Sequence, residues 1–183
     1  MTFKIDHQTH IELINESHSE SIFNIVDTNR SFLRKWLPFV DKMQSVEFAE
    51  NFVKGTIQRN KVGNEYAFVI IENEGLLGRV GIYKIDQENK IAEIGYWLAE
   101  NVQGRGIVTS ACKLLINFCF VELKLNRIEI RCGKENIKSR HIAERLSFSN
   151  EGIIRQGELV ENKYIDLCLY SLLSQEYTMN ALS

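Results

Sequence analysis

Apolar residues in the first third of the chain recur at helical spacing. Ser17 followed by Glu20 has the spacing of a capping box, in which each side chain satisfies a backbone N–H at a helix start, and a helix from about Ser19 to Asn29 is predicted to follow. A second short helical stretch, Ser31 to Leu37, must end before Pro38, because the residue preceding proline is pushed out of helical geometry. Ser45 is placed to cap a third helix whose apolar positions Val46, Phe48, Ala49, Phe52, Val53 and Ile57 keep the same period.

From there the period changes. Tyr66 to Ile71 is a β-rich run, Asn73-Glu74-Gly75 is a turn, and Leu76 to Ile85 reads as the returning strand. After the polar turn Asp86 to Asn89, Ile91 to Leu98 is a third strand, so the three should form an antiparallel meander. Ile107 to Glu122 is helical again, Arg127 to Cys132 is a short strand, and Ser139 to Leu146 is a helix. Strands near Glu151 to Gln156 and Ile165 to Leu173 close the pattern of a mixed α+β domain.

Length and composition narrow the class. The 183 residues fit one domain, 1–183, with enough chain to bury a core, and 44% hydrophobic with 25% charged residues is ordinary for a soluble fold. The segment Met1 to His7 lacks the apolar centre of a signal peptide, and no apolar run approaches the ~20 residues of a membrane-spanning helix, so a cytoplasmic location and no membrane partner are expected. A net charge of -2, from 22 basic and 24 acidic residues, leaves no whole-chain footprint for direct nucleic-acid binding. Cys112, Cys119, Cys132 and Cys168 stand far apart in apolar segments without a C-x-x-C pair, and are expected as reduced, buried thiols with neither metal nor disulfide.

The most informative stretch is Leu98 to Thr109, between a strand and a long helix. Glycines at such a turn let backbone N–H groups converge without Cβ obstruction, and the helix start adds unsatisfied donors and a positive dipole end. That describes an anion site, although a tight turn without ligand has the same sequence. A Walker loop needs Lys-Ser or Lys-Thr after its last glycine, where Ile107-Val108 stands; a dinucleotide fingerprint needs a further small residue where Thr109 stands.

In this context Gln103-Gly104-Arg105-Gly106-Ile107 resembles the pyrophosphate-binding motif R/Q-x-x-G-x-G/A of the GNAT acetyltransferases. Aligned on its glycines, the first motif position is Asn101, a departure that leaves the backbone cradle intact. The strand Ala92 to Leu98 and the tail Gly106 to Ala111 are similar to those of the RimJ/RimL-like subgroup, which acetylates the N-termini of ribosomal proteins. Asn136-Ile137-Lys138-Ser139 followed by a helix ending in Leu146-Ser147-Phe148 is similar to the family's N-x-x-S segment and its Leu-Gly-Phe exit, with Ser147 in the glycine position. Phe32 to Phe39 resembles the subgroup's Trp-containing stretch, and the likeness as a whole runs from about Ile11 to Leu173.

The resemblance implies a mostly antiparallel sheet of six to seven strands with helices on both faces, its fourth and fifth strands splayed. It implies acetyl-CoA as co-substrate, without a metal. The coenzyme would be held by Leu98, Gln103, Gly104, Arg105, Gly106, Ile107, Val108, Thr109 and Asn136, and the acceptor amine met by Trp36, Phe39 and Tyr96. Direct attack by a primary amine in a ternary complex is implied, the best match being the N-terminal α-amine of a ribosomal protein. A homodimer through the late strands is implied as well. A polyamine or aminoglycoside acetyltransferase and a non-catalytic acyl-CoA-binding module are the alternatives.

Acetyl transfer needs a neutral amine, a donor for the oxyanion and a proton for the leaving thiolate. Glu93, on the strand leading to the cleft, is the candidate base, against an ordinary ion-paired strand residue. Many GNAT enzymes carry a tyrosine seven residues after the motif Asn; that position is Ala143 here, so Ser139 becomes the candidate acid, against a role as helix cap. His141 reads as a surface histidine.

Overall fold

Eight strands form one sheet in the order β1-β2-β3-β4-β5-β6-β8-β7. They are β1 (Thr2–Lys4), β2 (Thr9–Leu13), β3 (Tyr66–Glu72), β4 (Gly75–Asp86), β5 (Ile91–Leu98), β6 (Arg127–Gly133), β7 (Ser149–Val160) and β8 (Lys163–Leu173). The helices are α1 (Ser19–Thr28), α2 (Arg30–Leu33), α3 (Val46–Lys61), α4 (Ile107–Asn117), α5 (Ile137–Arg145) and α6 (Ser174–Ala181). This computed structural model describes residues 1–181.

The sheet has more strands than the six to seven expected, because β1 and β2 add an N-terminal antiparallel pair against β3. The first capping box also lies elsewhere. Asn15, in extended backbone, accepts from the N–H of Ser17 at 3.0 Å, and His18 Nδ1 accepts from the N–H of Asn15 at 3.1 Å. Ser45 caps α3 as expected, accepting from the N–H of Phe48 at 3.1 Å.

Both faces of the sheet are covered, which is why β3 reads as an unbroken apolar run rather than an alternating one. Ala67 and Val69 face one way, onto Ile22, Val26, Ala49 and Val53 of α1 and α3. Phe68 and Ile70 face the other way and join Val80, Ile82, Ile94, Ile128 and Ile130 beneath Ala111 and Leu115 of α4. The long helix predicted to Glu122 loosens after Asn117 into a π-helical turn, Phe118–Glu122.

One pairing decides where the site lies. Every neighbouring pair of strands is antiparallel except β5 and β6, which run parallel and touch only at Ile91↔Arg127, Ala92↔Ile128 and Glu93↔Glu129. Beyond Glu93, β5 continues to Leu98 along β4, while β6 continues to Gly133 along β8. A wedge opens between them, with one backbone edge of β5 unpaired.

Candidate functional site

A cavity of about 810 Å³ occupies the wedge and runs from the α4 and α5 side to the segment after α2. Trp36, Tyr96, Leu98, Asn136, Ser139 and the whole stretch 103–109 line it. Phe39 and Glu93 are not in its wall. Phe39 stacks on Phe52 with ring centroids 6.2 Å apart and leans on Trp97, so its ring belongs to the packing of α3.

The turn into α4 gathers unpaired backbone donors at a helix start. Gly104 and Gly106 stand at φ 78° and 77°, left-handed conformations that disfavour any residue with a Cβ, and a Cβ added at either would meet nothing within 4 Å. Gly106 is the N-cap of α4 and provides no side-chain cap. Among the described residues, the N–H groups of 104–109 find no acceptor in the chain, while that of Ser110 bonds to Gly106 O at 3.0 Å. These consecutive free donors, at the positive end of a helix, fit the pyrophosphate of a nucleotide coenzyme. The Arg105 guanidinium turns away to Glu72, whose carboxyl it holds below the usual carboxylate range. Arg105 therefore has only its backbone to give at the turn.

Asn136 caps α5, its Oδ1 accepting from the N–H of Ser139 at 3.2 Å. The helix accordingly starts at Ile137, two residues before the expected Ser139, and the Ser139 hydroxyl is released from capping. Its Oγ lies 3.1 Å from the phenol of Tyr96, which also reaches the Ser139 carbonyl at 3.1 Å. Burial pushes the Tyr96 phenol well above its usual value, so it stays protonated. The same burial raises the neighbouring Cys132 thiol to about 11, with a hydrogen bond from Ser139 opposing the shift. All four cysteines are buried with free thiols.

Across the sheet lies a second set of groups. Trp36 covers Gly133, where an added Cβ would come within 3.0 Å of the indole ring and the ring would have to give way. Glu93, at the last residue pair before the wedge, is held by Lys84 Nζ at 2.8 Å and lies 3.6 Å from Arg131 Nε. Glu158 of β7, opposite Ile165 of β8, has its carboxyl pKa raised, first by burial and then by the charge of Glu93. Sequence reading overlooked Glu158, because only the β7–β8 hairpin brings it near Glu93. It also overlooked Lys138, whose Nζ reaches Gln103 Oε1 at 2.8 Å across the cavity. Its i+3 and i+7 neighbours, His141 and Arg145, were the available signal.

Among the described residues no group of three or more His, Cys, Asp or Glu is placed to hold a metal ion. No helix among them is long and apolar enough to cross a membrane.

Comparison with known proteins agrees with this geometry. Residues 9–149 match the family model described as an acetyltransferase (GNAT) domain. The chain is 34% identical over 177 residues to a putative ribosomal N-acetyltransferase, YdaF, of Bacillus subtilis (strain 168), covering 96% of this chain and 97% of the relative. It is 31% identical over 170 residues to the ribosomal-protein-serine acetyltransferase of Escherichia coli (strain K12), covering 93% and 95%. A solved structure of RimL, a ribosomal L7/L12 alpha-N-protein acetyltransferase in complex with coenzyme A, superposes with a TM-score of 0.92 at 26% identity, covering 96% of this chain and 99% of that one.

Proposed function

The chain belongs to the GNAT acetyltransferase family, and on that premise we propose that it moves the acetyl group of acetyl-CoA to the N-terminal α-amine of a protein, a ribosomal protein first among them. The observation that carries the coenzyme reading is the run of free N–H donors at 104–109 beside a strand edge that has lost its partner. Those donors take the pyrophosphate, and the open edge of β5 near Leu98 offers backbone groups to the amides of the pantetheine arm. The acceptor reading is supported by the substrates named for the two full-length relatives.

The residues of this chain divide the chemistry between the two faces of the sheet. Tyr96 has one hydroxyl proton and two acceptors at equal distance. When it donates to Ser139 Oγ, the Ser139 proton is free to point at the leaving sulfur and stabilise the thiolate as it forms. On the opposite face, Glu93 and Glu158 are the carboxylates for the amine proton. Glu93 is paired with Lys84 and lies 3.6 Å from Arg131, and its charge adds to burial in raising the affinity of Glu158 for a proton. A free α-amine titrates near ~7.7 to 8.0, so about a tenth of it is already neutral at pH 7 and the base has little left to do. Trp36 and Phe39 are the proposed acceptor-side aromatics, Trp36 in the cavity wall and Phe39 behind it as support.

We further propose that residues 1–183 act as one domain in the cytoplasm and that the late strands pair two copies. The deciding experiment measures thiol release and acetylated products with acetyl-CoA against peptides bearing different N-terminal residues, intact ribosomal proteins, and spermidine. Acetylation of the α-amine of a ribosomal protein at rates well above spermidine is the expected result. Turnover confined to spermidine would replace the acceptor assignment with a small amine.

A further inference from the structure

The cations that line the cavity are unevenly employed. Lys35, Arg105, Lys138 and Arg145 face Glu100 and Glu135 there, with His141 beside them. Arg105 is neutralised by Glu72. The partner of Lys138 is the uncharged amide oxygen of Gln103, so its charge is uncompensated. His141 lies 3.9 Å from Glu144. Arg145 makes no ion pair among the described residues.

Lys138, His141 and Arg145 sit at i, i+3 and i+7 of α5, so their side chains share the face that looks into the cavity. That face starts at the acid end, beside Ser139, and runs outward for about 10 Å. The free N–H groups at 104–109 are suited to a pyrophosphate, whose charge is spread over several oxygens. A terminal phosphomonoester carries close to two charges on one group, which main-chain dipoles meet poorly and a guanidinium meets well.

We propose that Arg145, assisted by Lys138 and His141, holds the 3'-phosphate on the ribose of the coenzyme, and so makes this chain select coenzyme A over its 3'-dephospho form. The inference rests on reading the cavity as the coenzyme site and adds the group that recognises the one phosphate the glycine turn leaves unmet. A cation in the last turn of a helix also complements the helix dipole. Loss of Arg145 therefore has a stability effect that must be read separately from the ligand effect.

Calorimetric titration of coenzyme A and of 3'-dephospho-coenzyme A into the wild type, Arg145→Gln and Lys138→Gln separates these. The wild type should bind coenzyme A at least about tenfold more tightly than the dephospho form, the worth of one charge-assisted hydrogen bond. Arg145→Gln should weaken coenzyme A to within about threefold of the dephospho form while leaving the dephospho affinity unchanged. Lys138→Gln should narrow the ratio by less. A wild-type ratio near one, or an equal loss for both ligands in a folded Arg145→Gln, overturns the assignment of Arg145. Absence of binding by either ligand to the wild type instead overturns the coenzyme site itself. Arg145→Lys is titrated with the same two ligands, recovery of the ratio by lysine supporting a charge contact, and thermal melts of both Arg145 variants accompany the titrations.

Discussion

Replacing Tyr96 with phenylalanine removes one hydroxyl and leaves the ring, so it tests the Tyr96–Ser139 pair with little disturbance of packing. The hydroxyl is 3.1 Å from both Ser139 O and Ser139 Oγ. Ser139 O lies inside α5 and Ser139 Oγ lines the cavity, so neither is stranded in an apolar environment when the phenol goes. The stability loss should then be the net value of one hydrogen bond, about 0.5–1.5 kcal/mol, seen as a fall in Tm of roughly 1–6 °C for a chain of this size. The catalytic loss should be larger relative to its cause. Without Tyr96 the Ser139 hydroxyl loses the donor that orients its own proton toward the sulfur, and one hydrogen bond absent from the transition state costs about tenfold in kcat. Ser139→Ala, which removes the proton itself, should cost ~100- to 10,000-fold. Steady-state kinetics at saturating acceptor, with acetyl-CoA affinity measured in parallel, should show both effects in kcat and little in binding. Because the two groups act through one proton, the double variant should be no slower than Ser139→Ala alone. A Tyr96→Phe enzyme within twofold of wild type, or a double variant in which the two losses multiply, would refute the relay and leave Tyr96 as a packing residue.

The remaining expectations use other parts of the site. Gly104→Val places a branched side chain at φ 78°, where it should destabilise the fold by about 1–2 kcal/mol and, since the space above it is open in the free protein, lower coenzyme affinity by calorimetry far more than it lowers Tm. Glu158→Gln should change the pH dependence of kcat/KM. Its raised carboxyl must lose its proton to act, so the wild-type acid limb should lie above the ordinary glutamate range, and the variant should titrate with the acceptor amine alone. Glu93→Gln should lower that limb part of the way, because burial still raises Glu158 while the added push of the Glu93 charge is gone; an unchanged profile in both variants assigns the proton to water. Ser147, at φ 63° where α5 ends, pays the strain that glycine would avoid, so Ser147→Gly should raise Tm by roughly 2–4 °C at unchanged activity.

The sequence carried some of this plainly. Strand Ile91–Leu98 falls where its apolar run and flanking turns place it, and the two glycines before Ile107 mark the donor-rich turn. The N-terminal strands were not legible, because Thr2–Lys4 and Thr9–Leu13 are too short for a period to declare itself and gain their meaning from pairing with β3. Asn136 and Ser139 were readable as a pair, but which of them caps the helix depended on side-chain geometry. Glu158 and Arg145 carry ordinary surface residue types at ordinary spacings. What distinguishes Glu158 is the burial and charge around it, supplied by segments distant in sequence, and what distinguishes Arg145 is its place in the cavity wall without an ion pair among the described residues.

The short contact between β5 and β6 also has a mechanical meaning. Strands β1 to β5 form one hydrogen-bonded ribbon and β6 to β8 another, and the ladder joining them ends at Glu93↔Glu129. The chain crosses this seam through the segment between Leu98 and Arg127, which contains α4. A coenzyme arm lying along β5 would bridge the seam over the length where protein fails to, so binding should protect the main-chain amides of 94–98 from hydrogen exchange more than those in the interior of either ribbon. In this architecture the co-substrate doubles as a clasp between two half-sheets, and the seam is where thermal parting of the molecule should begin.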